Sequence, residues 1–405
     1  MLVLQHKHFE VYFYGVEGKV KKLLSKAKSC IEKGNLEKGI ALYEKAVEIS
    51  RGSSDYAYCL FLLASILHDR GDIQKAASLF EELKELYSHE RPIALKKLNS
   101  IYKNSGDINK RIAILEELSK TQEQTRFDSD CGRTLMELSQ VYFELKQYEN
   151  AERTCSKALE KIEGACGKKN ADYVKCIEKL VEILEQLSRS QEQRHFDSDC
   201  GRTLLKLSQT YLELEQYENA ERTCLKALEK IEGVRGKKND DYIKCMEKLV
   251  EIHRESGSGE KEIESLEELQ DIYALNERYD SCYKTLCELQ RRYEKGTEQY
   301  EITLAKRAMI AIRLEKYPEA IRECLEFYKA KVQIFKKLTR KRSEKLYELL
   351  VETCSVLGDG YYQDTNFAKA KTFYLKALRE IRAKLGKDHP AFSLTLRTLG
   401  YLYCS

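Results

Sequence analysis

A tandem duplication in the middle of the chain constrains its fold more than any other feature. Residues 127–183 match residues 196–252 at an offset of 69, and 46 of the 57 aligned positions are identical. Self-similarity at a fixed period is typical of repeat proteins, in which each unit packs mainly against its neighbours. The sequence therefore predicts an array of repeated units in this region.

The composition indicates which secondary structure these units adopt. Among 405 residues there are only 3 prolines and 20 glycines, and 34% of the residues are charged. Few helix breakers and many straight-chain residues favour helices. The hydrophobic fraction of 42% is sufficient for a continuous core. We expect an all-α protein.

A looser helix–turn–helix pattern extends the repeats beyond the duplication, in segments that begin at Leu60, Leu135, Leu304 and Cys354. Small residues recur at fixed places in both helices, where they allow neighbouring helices to approach closely. In the first helices they are Ala64, Ser139, Ser208, Ala308, Gly358 and Gly400; in the second helices they are Ala46, Ala76, Ala151, Ala158, Ala220, Ala227, Ala320, Ala370 and Ala377.

From about Lys19 onward this pattern resembles the tetratricopeptide repeat family. The resemblance implies a right-handed α-solenoid whose first helices line a concave groove. The last unit, with Gly386, Asp388, His389 and Pro390 in its linker, resembles the long repeat of kinesin light chains and nephrocystin-type proteins. That likeness implies a subclass of architecture, and no heptad coiled coil precedes the repeats in this sequence.

The repeats divide the chain into four expected segments. They are an N-terminal extension (1–18), three repeats (19–122), the duplicated repeats (123–256) and C-terminal repeats that end in a half repeat (257–405).

One copy of the pattern is shorter than its counterparts. Around Leu98 and Leu249, two aligned leucines lie 17 positions apart, whereas around Leu180 they lie 4 apart, so 13 residues are absent. The absent piece comprises the end of a first helix, its turn and the start of the second helix. We predict an irregular junction near 188–200, formed by one continuous helix from Asp172 to about Gln193 or by a stunted second helix. A gene-model artefact is the alternative.

A second ambiguity lies between residues 256 and 297. Ser256–Gly259 is expected to be a linker, and Leu266–Glu277 fits either a first or a second helix. We favour the register in which Leu266–Glu277 pairs with Tyr279–Glu294.

Groove residues follow from the family register. The resemblance places in the groove Arg133, Gln140, Phe143, Lys175, Glu178, Glu182, Arg202, Gln209, Leu212, Lys244, Glu247, Glu251, Met309, Ile312 and Tyr362. Such a mixed face would hold an extended peptide or an amphipathic helix of another protein. The alternative is a solvated helix face without a ligand. The lysine–asparagine set that clamps terminal carboxylates in this family is missing from the first three repeats.

The duplicated stretch FDSDCGRTL suggests a cysteine nucleophile or a metal site when it is taken alone. The chain contains no CxxC pair, no HExxH and no phosphate-binding glycine loop. We therefore interpret the stretch as a repeat boundary. Ser129 or Asp130 is expected to cap a helix in the first copy, and Ser198 or Asp199 is expected to cap its counterpart in the second copy. We expect no catalytic residue, metal or cofactor.

Charge and hydropathy restrict the remaining functions. The net charge is +4 with both signs interspersed, which does not predict a nucleic-acid partner. The N-terminus lacks the roughly 18 apolar residues that a membrane span needs. We expect a cytoplasmic protein; the basic run Lys336–Arg342 is either a nuclear-import signal or a solvated connection.

The expected function is a non-catalytic scaffold that binds other proteins and no small-molecule substrate. The alternatives are a motor-cargo adaptor of kinesin light chain type and the N-terminal part of a larger multidomain protein.

Overall fold

A computed structural model describes residues 18–86, 91–124, 128–295, 297–316, 319, 321–322, 354–355, 357–359, 361–363, 365–384, 386–388 and 390–404. Within these ranges the structure contains helices and no strand. The helices are α1 (Gly18–Glu32), α2 (Leu36–Ser50), α3 (Tyr56–Arg70), α4 (Ile73–Leu86), α5 (Arg91–Ser105), α6 (Ile108–Gln124), α7 (Asp128–Glu144), α8 (Tyr148–Cys166), α9 (Ala171–Gln193), α10 (Asp197–Glu213), α11 (Tyr217–Arg235), α12 (Asp240–Glu255), α13 (Gly259–Leu275), α14 (Tyr279–Arg292), α15 (Glu298–Arg313), α16 (Phe367–Lys384) and α17 (Pro390–Cys404).

Consecutive helices from α1 to α15 pack against each other, and α16 packs against α17, so the prediction of an all-α array of helix–turn–helix repeats is confirmed. The chain divides into two compact units, Met1–Leu187 and Ser188–Ser405. The division into four segments that the sequence suggests remains a prediction.

One type of tight turn joins many of the helices. After α7, Lys146 adopts a left-handed conformation (φ 58°), and the backbone N–H of Gln147 donates to the carbonyl oxygen of Tyr142 at 2.9 Å. This bond satisfies a carbonyl that the helix end leaves free, and it reverses the chain within a few residues. Left-handed residues occupy the corresponding place at Gly34, Gly71, His195, Glu215, Gly257, Glu277, Glu315 and Thr365.

Small residues lie where the helices cross. Ala64, Ser139, Ser208 and Ala308 in first helices have no exposed surface, and neither have Ala76, Ala151, Ala158, Ala220, Ala227, Ala370 and Ala377 in second helices. Gly132 shows how close the approach is, because a Cβ added there would lie 2.5 Å from Cγ1 of Ile162 in α8. The predicted role of the small residues is therefore confirmed at these positions; Gly400, by contrast, is exposed.

The shortened copy is a single helix. α9 runs through residues 171–193 without a break, which confirms the prediction of one continuous helix. Each 69-residue copy consequently contains three helices, α7–α9 and α10–α12.

The C-terminal end of α9 takes the place that the end of α6 has in the first copy. Cys131 donates through Sγ to the carbonyl oxygen of Ser119 in α6 at 3.4 Å, and Cys200 makes the same contact with Ser188 in α9 at 3.6 Å. The absence of 13 residues has thus joined the start of one helix to the end of the next.

The structure resolves the ambiguity around α13. A left-handed turn precedes it at Gly257 and another follows it at Glu277, and α13 packs on both α12 and α14. One helix therefore serves as the second helix of one pair and the first helix of the next. The expected linker Ser256–Gly259 is too long at its C-terminal end, because Gly259 is already the first residue of α13.

The stretch FDSDCGRTL is architectural, but the predicted caps are wrong. α10 begins at Asp197 after Phe196, which makes no side-chain capping bond, so Ser198 and Asp199 lie inside the first turn. Ser129 and Asp130 occupy the equivalent places in α7. The preceding tight turn already fixes the start of α10, and the first-turn acids favour the positive helix end.

Tyrosine–glutamate hydrogen bonds connect neighbouring helices repeatedly. Tyr142 donates to Glu116 at 2.8 Å, and Tyr273 donates to Glu247 at 2.5 Å, across the same spacing of 26 residues. Burial, reinforced by the bond to Glu116, raises the pKa of Tyr142 to about 12.

Glycine substitutions test the close approach of α7 and α8. We expect Gly132→Ala to destabilise the first unit by about 1–3 kcal/mol, because Ile162 must move and the carbonyl oxygen of Ala158 lies 3.2 Å from the new Cβ. Gly164→Ala in α8 is the control: its Cβ meets no atom within 4 Å, and removing a helix glycine should stabilise by about 0.5–1 kcal/mol. Urea unfolding with hydrogen exchange of α7 and α8 measures both; effects of the same sign would contradict the packing assignment.

Alkaline pH tests the tyrosine bonds. The pKa of Tyr142 rises from 10.0 to about 12 on folding. The Tyr142 hydroxyl therefore contributes its full stabilisation of the folded state below pH 10. This stabilisation is lost as the pH rises towards 12, because the hydroxyl loses its proton first in the unfolded state. We expect the thermal midpoint of Tyr142→Phe to fall less between pH 9 and 11 than that of the wild type. An equal fall in both proteins would show that this bond does not carry the dependence.

Candidate functional site

The predicted groove residues of the first unit lie on two neighbouring helices, α7 and α9. Arg133 donates through Nε to Oδ2 of Asp172 at 2.8 Å, near the start of both helices. Further along, Nζ of Lys179 lies 4.2 Å from the ring centroid of Phe143. Because both contacts advance in the same direction along the two helices, α7 and α9 run parallel and present a common face, which we call the α7–α9 face.

The α7–α9 face combines paired and unpaired groups. Glu182 is paired with Lys179 at 2.6 Å, and Gln140 donates to Glu144 at 2.9 Å. Lys175 and Glu178 are exposed, and neither has a partner among the described residues. These two side chains remain available for a ligand.

The second unit repeats this arrangement on α10 and α12. Arg202 donates through Nε to Oδ2 of Asp241 at 3.1 Å. Gln209 and Lys244 are exposed without a partner among the described residues. Glu247 and Glu251 are engaged within the protein: Glu247 accepts from Tyr273, and Glu251 is paired with Lys248 at 2.5 Å.

Leu212 is a correction to the predicted groove. Its side chain is only 6% exposed and belongs to the core of the second unit. Its counterpart Phe143 is half-buried, with its ring against the edge of Tyr148 at 5.7 Å and beneath Lys179. The bulky ring remains at the surface, while the smaller leucine is enclosed, so only the first copy presents an apolar anchor at this position.

Alternate helices of the second unit form two layers, and Met309 lies in a different layer from Arg202 and Lys244. Contacts alternate along the second unit: α12 is linked to α14 by Arg254–Glu288 at 2.5 Å, and α13 to α11 by Lys261–Glu221 at 2.7 Å. α15, which carries Met309, is linked to α13 through Lys306 and Asp271 at 3.0 Å.

The predicted groove is therefore not continuous through the second unit, since α13 shifts the register by one helix. The side chain of Ile312 and the run Lys336–Arg342 lie outside the described residues, and Tyr362 is half-buried against Phe367.

Sequence reasoning missed a buried ionic cluster in the second unit. Glu262 of α13 is 2% exposed and accepts from Nε of Arg254 at 2.9 Å and from an NH2 group of Arg292 at 2.7 Å. Its position in a polar, glutamate-rich helix gave no signal of burial. The two arginines compensate the carboxylate, so the cluster joins α12, α13 and α14.

The cysteines of the duplicated stretch do not behave as nucleophiles. Cys131 and Cys200 are each 1% exposed, and burial raises the pKa of both thiols. A raised pKa disfavours the thiolate that nucleophilic attack requires. Among the described residues, no three His, Cys, Asp or Glu side chains are grouped to hold a metal ion, and no helix is both long and apolar enough to cross a membrane.

Family comparisons identify the repeats. Models of the tetratricopeptide repeat match residues 21–88, 132–160, 201–229 and 350–391. The chain contains tetratricopeptide repeats. Two of the matched ranges lie within the α7–α8 and α10–α11 pairs of the duplication. A search of curated proteins gives no significant match.

Solved structures of other proteins are similar at low sequence identity. BtubC from P. vanneervenii is 15% identical, with 63% of this chain and 91% of that chain covered and a TM-score of 0.27. The apo form of RapI is 12% identical, with 68% and 98% covered and a TM-score of 0.33. The nearly identical TPR-like repeats of a putative kinesin light chain from Podosopora anserina are 15% identical, with 54% and 95% covered and a TM-score of 0.24.

Matched substitutions test the assignment of Phe143 and Leu212. We expect Leu212→Ala to destabilise the second unit by about 2–5 kcal/mol, because it leaves a cavity in a packed core. Phe143→Leu, which copies the residue of the second repeat, should change stability by less than about 1 kcal/mol. Urea denaturation with hydrogen exchange of α7 and α10 distinguishes the two sites; equal losses would mean that Phe143 is also a core residue.

Proposed function

We propose that this protein is a non-catalytic scaffold that binds a segment of a partner protein on the α7–α9 face. The observation that carries the proposal is the alignment of α7 and α9 by Arg133–Asp172 and by Phe143–Lys179. These contacts hold two helices as one surface, so a ligand would meet a preorganised site.

The exposed groups of this face suit a polypeptide. The half-buried ring of Phe143 offers an apolar anchor, and Gln140 can exchange its bond to Glu144 for a bond to a peptide backbone. Lys175 and Glu178 carry opposite charges three residues apart, so they would set the register of a partner with complementary charges. Burial raises the pKa of the Cys131 and Cys200 thiols, which disfavours their use as nucleophiles.

The two copies provide a matched experiment. Tagged wild-type protein is compared with Arg133→Glu/Lys175→Glu on α7 and α9, and with Arg202→Glu/Lys244→Glu on α10 and α12. All three are used for affinity purification with quantitative mass spectrometry from the native extract. We expect a partner that is retained by the second variant and lost, by about tenfold or more, by the first.

The captured partner is then purified and titrated by calorimetry against all three proteins, with circular dichroism as the control for folding. Equal binding by the wild type and the α7–α9 variant would contradict the proposed site. Equal loss in both variants would assign binding to charge in general rather than to this face.

A further inference from the structure

Two buried cysteines face each other where α8 packs against α9. Cys155 of α8 and Cys176 of α9 have no exposed surface. Their sulfur atoms lie 3.8 Å apart, and each sulfur also lies 3.6 Å from the carbonyl oxygen of the other cysteine. Because these contacts are reciprocal, the two side chains point at each other across the interface.

Other buried thiols of the protein are arranged differently. Cys131, Cys200 and Cys282 each donate to the carbonyl oxygen of a residue 12 positions earlier in the chain, at 3.4 to 3.6 Å. A thiol that only fills space in a core satisfies its weak donor in this way. Cys155 and Cys176 instead place sulfur against sulfur, which packing alone does not require.

The duplicated pair provides a comparison within the same chain. Cys224 of α11 and Cys245 of α12 occupy the same places 69 residues later and are equally buried. There the thiol of Cys224 donates to the carbonyl oxygen of Cys245 at 3.2 Å, a shorter contact than the 3.6 Å of Cys155. The sulfur of Cys224 is therefore held more tightly to the backbone, and the second pair serves as a matched control.

The geometry of the first pair suits a covalent bond. A disulfide requires sulfur atoms about 2.05 Å apart and Cβ atoms roughly 3.5 to 4.5 Å apart. Cys155 and Cys176 begin with their sulfurs in contact and with each sulfur close to the other backbone, so rotation of the side chains closes the remaining distance. The bond would join two helices that are already adjacent.

The closed interface protects the reduced pair. The contact with Cys155, together with burial, raises the pKa of the Cys176 thiol. A raised pKa disfavours the thiolate that reacts with an oxidant. Local opening of α8 and α9 exposes the thiols to water, where they ionise more readily, and closing brings the two sulfurs together again. Oxidation is therefore expected to be slow and to be limited by this opening.

We propose that Cys155 and Cys176 form a reversible disulfide that locks α9 onto α8 when the protein meets a peroxide. Two S–H bonds and the O–O bond break, one S–S bond forms, and two electrons pass from the sulfurs to the peroxide. The peroxide oxygens take up the two protons and leave as two molecules of water. A thiol reductant restores both cysteines by exchange.

The bond would restrain a helix that carries surface groups. Lys175 and Glu178 are exposed on α9 and lie on either side of Cys176 in the chain. Once α9 is joined to α8, the pair of helices loses its route of local opening. The bond lies within the α8–α9 interface, so it is independent of the function proposed above.

Peptide mapping tests the bond directly. The full-length protein is first reduced and then treated with hydrogen peroxide under native conditions. Remaining thiols are blocked with N-ethylmaleimide in urea, and trypsin digestion follows without reductant. Because basic residues flank all four cysteines, trypsin releases the first pair on residues 154–157 and 176–179, and the second pair on residues 223–226 and 245–248. These peptides differ in sequence, so mass spectrometry measures each bridge separately.

We expect a bridge between residues 154–157 and 176–179 that is several-fold more abundant than the bridge in the second copy. It should weigh two hydrogens less than the separate peptides and disappear with dithiothreitol. Hydrogen exchange of α8 and α9 should slow by about tenfold in the oxidised protein. Cys155→Ala should abolish the bridge and the slower exchange, whereas Cys224→Ala should leave both, with circular dichroism as the control for folding.

The map of the wild-type protein decides the outcome even where a variant does not fold. Cys166 is exposed and reports whether the oxidant has reached the protein. Oxidised Cys166 without the bridge between Cys155 and Cys176 would overturn the proposal. A bridge that forms only in urea, a bridge from either cysteine to Cys166 instead, or equal yields in the two copies would overturn it as well.

Discussion

The close approach of antiparallel helices through small residues is the constraint on which the rest of the structure depends. Ala158 and Gly132 meet at the crossing of α7 and α8, where even a methyl group added to the glycine would overlap Ile162. Such crossings leave space for large neighbours such as Tyr142 to reach across to the adjacent helix. The recurring tyrosine–glutamate bonds and the parallel alignment of α7 with α9 both require this spacing.

The tight turn gives the array its tolerance of irregularity. Because the turn requires only one left-handed residue and one carbonyl, it ends a first helix or a second helix equally well. α13 has this turn on both sides, at Gly257 and at Glu277. A helix can therefore be lost or reassigned without opening the core, and the consequence appears on the surface: residues that share a repeat position no longer share a layer, as Met309 and Arg202 show.

Sequence patterns predicted the framework better than the site. Burial of Ala151 and Ser139 follows from their spacing, and the continuity of α9 follows from counting residues between leucines. Leu212 was placed in the groove because the register of a repeat gives the direction of a side chain only approximately. Glu262 gave no sequence signal, because its burial depends on two arginines from neighbouring helices.

The sequence by itself determined the helical class, the repeats, the duplication and the fusion that produced α9, because these depend on local propensity and on the number of residues between turns. Only the tertiary structure decided which faces adjoin, that α13 belongs to two pairs, and that Phe143 is at the surface while Leu212 is in the core. Those outcomes depend on how each helix packs on the next, and packing is decided by side chains distant in sequence that meet only in the folded chain.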